Sequence, residues 1–307
     1  MDRFEAMSLL VAVTERGSLS EAGRALQMPL ATLSRKISEL EALLGTRLLV
    51  RTTRKLTLTD AGVSYLAAAR RIIEQVEEAE REAAGEFTMP KGELALTAPM
   101  MFGRLHVLPV VADFLTAFPE ITVRFILADR NVDLVDDRVD MALRIGRLPD
   151  SSMVATKVGT LRTVTCAAPS LLAARGKPCR PTELQGFPCV AVDTPMPSPS
   201  WRFRNPHSSA GLDVTVVPRL TVTNPEAAAQ AAMCGVGVAR LLHYQVVDAV
   251  RRGDLEIILD KYELEPAPVH LVHASRGQMP LKMRRFLDYA APRLRHALDE
   301  IAAPLME

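Results

Sequence analysis

Residues 18–62 read SLSEAGRALQMPLATLSRKISELEALLGTRLLVRTTRKLTLTDAG. Ser18 and Glu21 stand three apart at the head of this stretch. The serine oxygen is placed to accept from the amide near Glu21 while the glutamate reaches back, a capping box that starts a helix. This short helix runs to Leu26 and offers Ala22, Ala25 and Leu26 as its inner face. Gln27 and Met28 form a turn, and Pro29 suits a first helical position because its missing N–H is not needed there. Leu33, Ile37, Leu40 and Leu44 then recur as one apolar stripe until Gly45 ends the run. Residues 48–50 and 56–58 follow as two strands around the tip Arg51-Thr52-Thr53-Arg54-Lys55. Two helices joined by a tight turn, then a basic hairpin, predict a helix-turn-helix with a wing. The second helix carries Thr32, Ser34, Arg35 and Lys36 near its start, the residue types that reach base edges and phosphates in a major groove. A small helical subdomain with a solvated basic face is the plainer alternative.

Working outward, Phe4, Met7, Leu10 and Val11 recur at helical spacing behind Asp2, a cap, and Gly17 ends that helix. Residues 60–84 contain no proline and place Leu66, Ala69, Ile73, Val76 and Ala83 on a three-four spacing interrupted where Glu80 falls. One long helix with a narrow apolar seam is expected, and such a seam calls for a partner helix. Leu66, Ala69, Ile73 and Val76 are therefore the candidate dimerisation residues, and residues 85–92 the candidate hinge.

The whole chain has 307 residues, with 37 Lys and Arg against 36 Asp and Glu, a net charge of +1. That near-neutrality conceals two opposed segments. Residues 24–55 hold seven basic residues against Glu39 and Glu41, a net +5, whereas residues 60–86 hold three against seven acids, a net −4. A basic head before an acidic stalk points to nucleic acid. With 48% hydrophobic and 24% charged residues the composition is that of a folded protein, and the length suggests about two domains. Acids within the first five residues speak against a secretory leader, and residues 227–239, the longest apolar run considered, fall short of a membrane span. Cys166, Cys179, Cys189 and Cys234 lack C-x-x-C spacing, so reduced thiols, a cytoplasmic location and no metal are expected.

From residue 93 onward strand-like and helix-like segments alternate, as in an α/β domain with a mostly parallel sheet. The strand candidates are 94–98, 121–127, 141–145, 164–168, 220–223 and 269–273, and the helix candidates 104–118, 225–234, 244–252 and 281–298. Residues 194–211, with Pro195, Pro197, Pro199 and Pro206, read as irregular. There is no G-x-S-x-G, P-loop or H-E-x-x-H, and Gly235-Val236-Gly237 lacks the third glycine of a dinucleotide site. His270 and His273, three apart on a strand, point to opposite faces and make a poor metal pair. No cofactor and no enzymatic activity is expected.

Residues 18–62, with TAPMMFGRLHVLP (97–109), DRNVDLVDDRVDMALRIGRLPDSSMVA (129–155) and AAAQAAMCGVGVARL (227–241), resemble the LysR-type transcriptional regulators over essentially the whole chain. The resemblance implies a winged helix-turn-helix over 1–59, a linker and dimerisation helix over 60–88, and over 92–302 a two-lobed α/β effector domain resembling type 2 periplasmic binding proteins. Lobe I would hold about 92–163 and 268–302, and lobe II about 164–267. It implies a cytoplasmic, sequence-specific regulator without membrane association that binds double-stranded promoter DNA. Its partners would be a small-molecule effector and, as a further candidate, RNA polymerase. The implied assembly is a homodimer that builds a homotetramer or higher form. Ser34 and Arg35 match the family's base-contacting positions, and Arg51 and Arg54 its wing contacts; Thr53 and Lys55 flank the latter. This chain departs by placing Pro29-Leu30-Ala31 where the family has a polar residue, so Leu30 either touches a thymine methyl or packs against Met28.

In the family the loop after the first strand lines the effector site. Here that loop supplies Pro99, Met100, Met101 and Phe102, with a helix expected to begin near Gly103 and offer its amides to a ligand. The alternative for the three apolar side chains is interlobe packing. Pro99 lacks the hydroxyl often found at that position, which favours an apolar or aromatic effector with at most one acidic group. Arg144 either supplies a charge to it or pairs with Asp129 or Asp140, and Asn224 caps the following helix with the cleft in reach. Remaining alternatives are a DNA-binding architectural regulator without effector, a redox-responsive regulator using Cys179 and Cys189, and an enzyme carrying a DNA-binding head.

Overall fold

The computed structural model describes residues 2–51, 56–83, 89–130, 132–134, 137–148, 153–193, 200–206, 211–274 and 279–302. They fall into two compact units, Met1–Thr88 and Met89–Glu307. In the first, α1 (Arg3–Arg16) begins where the Asp2 carboxylate accepts from the Phe4 N–H at 2.9 Å and ends at Gly17, φ 71°. Ser18 caps α2 (Leu19–Ala25) by accepting from the Glu21 N–H at 3.1 Å. Pro29 is the cap of α3 (Leu30–Leu44), so the helix begins one residue later than expected, and Gly45 closes it at φ 67°. The hairpin pairs β1 (Leu49–Arg51) with β2 (Leu56–Leu58), and α4 (Asp60–Ala83) follows as one unbroken helix.

Ala6, Leu9, Leu10 and Val13 of α1 pack on Ala22 and on Leu33, Ile37 and Leu40 of α3. Several expected core positions are corrected. Ala25, Leu26 and Leu44 are exposed, and Phe4, Met7 and Val11 are only half-buried, because the face of α1 turned inward is shifted by one position. Near the end of α3 it is Glu41 that ties the helix to the hairpin: its Oε1 accepts from the N–H groups of Leu48 and Leu49 at 2.8 and 3.0 Å. Leu66 and Ala69 are also corrected. The first turns of α4 lie along α1, and both side chains are buried within this unit, out of reach of a partner helix. Ile73 and Val76 are half-buried and Ile72 is exposed, so the open part of the seam begins later.

In the second unit, lobe I is built on β3 (Gly92–Ala98), β4 (Ile121–Leu127), β5 (Met141–Ile145) and β6 (Met153–Leu161), with a returning strand at Ala267–Ala274. Between β3 and β4 runs a continuous helical segment: a turn α5 (Met100–Phe102), a wide π-type stretch Gly103–Val107, and α6 (Leu108–Ala117). Lobe II contains β7 (Thr163–Ala167), α7 (Pro169–Arg175), β8 (Cys189–Val192), β9 (Ser200–Arg204), β10 (Gly211–Thr215) and β11 (Pro218–Val222). It is completed by α8 (Pro225–Met233), β12 (Val238–Leu242), α9 (Val247–Arg251) and β13 (Glu256–Ile258). The returning strand is β14, and α10 (Leu281–Ala302) closes lobe I.

The sheet orders are β4-β3-β5-β14-β6 and β11-β8-β12-β7-β13. Both are mixed rather than mostly parallel: β3 runs parallel to β4 and β5, whereas β14 opposes β5 and β6, and β7 opposes β12 and β13. The chain crosses between lobes twice, after β6 and before β14, and each crossing strand enters its sheet against the direction of the others. Part of the stretch expected to be irregular is a hairpin, β9 with β10, whose inward Trp201, Phe203 and Val214 build a lobe II core. Residues 100–117 are long and apolar enough to cross a membrane by length and composition, contrary to the expectation from sequence. Their Phe102, Val107, Val110, Val111 and Phe114 are buried in the core of lobe I.

Candidate functional site

The exposed start of α3 carries Leu30, Ala31 and Arg35, with Thr32 and Ser34 half-buried beside them. Leu30 is open rather than packed away. The Arg35 side chain is 69% exposed and meets Glu39 one turn on, at 3.8 Å, an exposed pair too weak to withhold it from another partner. Lys36 differs. Its side chain is largely covered and its Nζ lies 2.5 Å from Glu5 Oε2 on α1, so it fixes α3 against α1 instead of standing open to DNA. Arg51 ends β1, whereas Thr53, Arg54 and Lys55 lie outside the described residues.

In the second unit the helix begins at Met100, not near Gly103. The Gly103 N–H donates to the Pro99 carbonyl at 2.7 Å and is inside the helix, while the Met100 N–H is taken by Asp129 Oδ1 at 2.9 Å. The amide end expected to hold an anion is therefore already capped by a carboxylate. Gly103 lets the helix pack closely on β4: a Cβ there would stand 2.2 Å from Leu127 Cδ2, and that side chain would have to move. Phe102 is fully buried, edge-on to Tyr244 at 5.3 Å and tilted against His106 at 4.9 Å. It is core, not pocket wall. Met100 is exposed and Met101 half-buried, and these two remain at the surface of lobe I with Pro99.

Across the cleft, Asn224 Oδ1 accepts from the N–H groups of Glu226 and Ala227 at 2.7 and 3.2 Å, capping α8, and its Nδ2 lies 4.0 Å from Met100 Sδ. Arg104 Nη2 meets Glu226 Oε1 at 3.1 Å. The start of the lobe I helix and the start of α8 thus face each other. Arg144 does not pair as expected. It donates to the Val132 carbonyl, Asp129 caps Met100, and Asp140 accepts from the Ala95 N–H at 2.8 Å. Burial lowers the Arg144 pKa, opposed by the nearby Asp133 carboxylate. Its charge is held locally within lobe I.

Burial also lowers the pKa of His106, so its ring among Phe102 and Tyr244 stays neutral near pH 7. All four cysteines are free thiols. Burial pushes Cys166 and Cys189 up to about 12 and about 11, so Cys189 is not the reactive thiolate a pairing with Cys179 would need. Sequence reading does not single out Arg240, whose guanidinium lies over Phe203 at 5.0 Å in lobe II. The available signal is a lone charge inside the apolar strand Val-Ala-Arg-Leu-Leu.

Residues 4–63 match the family profile described as bacterial regulatory helix-turn-helix protein, lysR family, and residues 88–295 match the LysR substrate binding domain. An HTH-type transcriptional regulator of Xanthomonas campestris pv. campestris is 34% identical over 305 residues, covering 96% of this chain and 86% of its own length. CrgA, a LysR-type transcriptional regulator from Neisseria meningitidis, is similar in structure with a TM-score of 0.60 and 30% identity, over 94% of this chain and 98% of CrgA. Full-length LysG from Corynebacterium glutamicum, recorded with bound effector Arg, shares the fold at 19% identity and a TM-score of 0.57, over 96% and 99% of the two chains.

Proposed function

The chain belongs to the LysR family of bacterial transcriptional regulators, and from that premise we propose how its own residues divide the work. Arg35 reads a base edge from the exposed start of α3, with Thr32 and Ser34 beside it and Leu30 toward a thymine methyl. Arg51, Thr53, Arg54 and Lys55 hold phosphates from the wing, and Lys36 acts indirectly through Glu5. The observation that carries this reading is the exposure of Arg35 on the helix-turn-helix, opposed only by a weak exposed ion pair. Arg35→Ala should lose about 1–3 kcal/mol of discrimination between operator and random DNA in salt-matched titrations. Equal weakening on both sequences would reassign Arg35 to phosphate.

Two copies join through the later part of α4, where Ile73 and Val76 are half-buried and Ile72 is exposed. A charge placed in that seam would be buried without a partner, so Ile73→Glu should yield monomers by sedimentation and reduce binding to palindromic DNA. A variant that stays dimeric removes Ile73 from the interface. Pairs of such dimers form the tetramer, in the cytoplasm, with promoter DNA and RNA polymerase as macromolecular partners. The effector lies between the lobes, against Pro99, Met100 and Met101 on one side and Asn224 on the other; the approach of Asn224 Nδ2 to Met100 Sδ, 4.0 Å, supports this placing. It changes promoter binding only to the extent that it prefers one lobe arrangement, and the Arg104–Glu226 pair is one contact such a preference would make or break. We read no catalytic role for the chain.

A further inference from the structure

Val238, Arg240 and Leu242 share one face of β12, since alternate residues of a strand point the same way. On that face Val238 is buried with Trp201 and Phe203, Leu242 packs against the core of lobe I, and Arg240 lies between them. Its cross-strand neighbour on β7, Thr165, is buried. The guanidinium rests over the Phe203 ring at 5.0 Å, and among the described residues no side-chain or backbone oxygen accepts from it. Two other half-buried arginines are satisfied: Arg162 is bidentate with Glu263 at 2.9 Å on both arms, and Arg144 donates to the Val132 carbonyl. Burial alone pushes the Arg240 pKa down to about 10, with no carboxylate near enough to oppose it, and the group remains charged at neutral pH. None of its nitrogens is sealed from solvent; the sealed, unpartnered side-chain nitrogens among the described residues are His270 Nδ1 and His273 Nε2. A half-buried fork of five donors that meets only a ring face retains its demand for an oxyanion, and a planar carboxylate matches that fork.

We propose that Arg240 anchors the carboxylate of the small molecule this domain binds. The side chains that flank it on that face, Leu242, Trp201 and Phe203, are apolar, and β12 brings no second cation there, so the ligand class is a monocarboxylate with an apolar body. This rests on the effector reading above and moves the anchoring charge from Arg144 in lobe I to Arg240 in lobe II.

The test is calorimetry on the full-length protein with acetate, butyrate, benzoate and phenylacetate, each beside its neutral amide. At least one acid should bind at least tenfold more tightly than its amide. Arg240→Gln should bring that acid down to the level of the amide, a loss of about tenfold or more, while Arg240→Lys keeps part of the difference. Failure of all four acids to bind, or binding to Arg240→Gln as tight as to the native protein, overturns the proposal. Without ligand, Arg240→Met should leave the Tm unchanged or raise it, because it removes an uncompensated charge from an apolar setting. A clear fall in Tm for both the Met and Lys variants would make Arg240 a structural residue and overturn the proposal as well. Promoter footprinting separates the two readings. An acid that binds through Arg240 without altering the footprint upholds the anchor and removes the effector role. A neutral compound that alters the footprint equally in the native protein and in Arg240→Gln keeps the effector role and removes the anchor.

Discussion

Gly62→Ala is expected to unfold the DNA-binding unit. The Leu48 carbonyl accepts from the Thr59 N–H at 3.0 Å, and Thr59 Oγ1 accepts from the Gly62 N–H at 2.9 Å. These bonds draw the start of α4 onto the chain just before β1. A Cβ on Gly62 would stand 2.0 Å from the Leu48 carbonyl oxygen and 2.9 Å from its carbon. The obstacle is backbone, so no side chain can swing aside; either β1 or the first turn of α4 must move. Overpacking costs about 1–3 kcal/mol where side chains yield, and a backbone collision belongs at or beyond the upper end. DNA binding should be lost with the unit's thermal transition. An alanine variant with native Tm and native operator affinity would show that the two elements are not held as tightly as these contacts require.

Phe102→Ala should be the most costly change in the second unit, at about 3–5 kcal/mol. The ring is fully buried in lobe I and meets Tyr244, which follows β12 of lobe II, edge to face. Its removal leaves a cavity where the two lobes share packing, and for a unit of this size the Tm should fall by roughly 6–20 °C. Phe102→Leu should recover much of the loss. If Phe102 were instead a wall of the ligand pocket, the alanine variant would keep its Tm and lose only ligand affinity, an outcome that would reverse its assignment to the core.

Much of this architecture is legible in local sequence. Asp2, Ser18 and Asn224 each cap the helix they precede, and Gly17 and Gly45 each end one with positive φ. The Leu33, Ile37 and Leu40 stripe points inward as its spacing implies. Less is legible where composition misleads. Residues 200–204 and 211–215 border a proline-rich stretch, yet alternate burial of Trp201, Phe203 and Val214 makes them strands. Helical spacing alone extends the dimer seam of α4 back to Leu66 and Ala69, because an apolar side chain does not say whether its partner lies in the same chain or in another.

The sequence by itself determined where α1, α2 and α8 start and where α1 and α3 stop, that a basic helix-turn-helix heads the chain, and that an α/β domain follows. Capping bonds join residues two or three apart, and periodicity spans a few turns, so both are complete within a short window. Only the tertiary structure decided which charges are available. Lys36 is taken by Glu5, 31 residues away, and the Met100 amide by Asp129, 29 residues away. Arg144 is held by Val132, while Arg240 has a ring beneath it and no acceptor among the described residues. A charge seeks its partner in space, at distances along the chain that no local pattern records, and burial then sets whether it serves the fold or waits for a ligand.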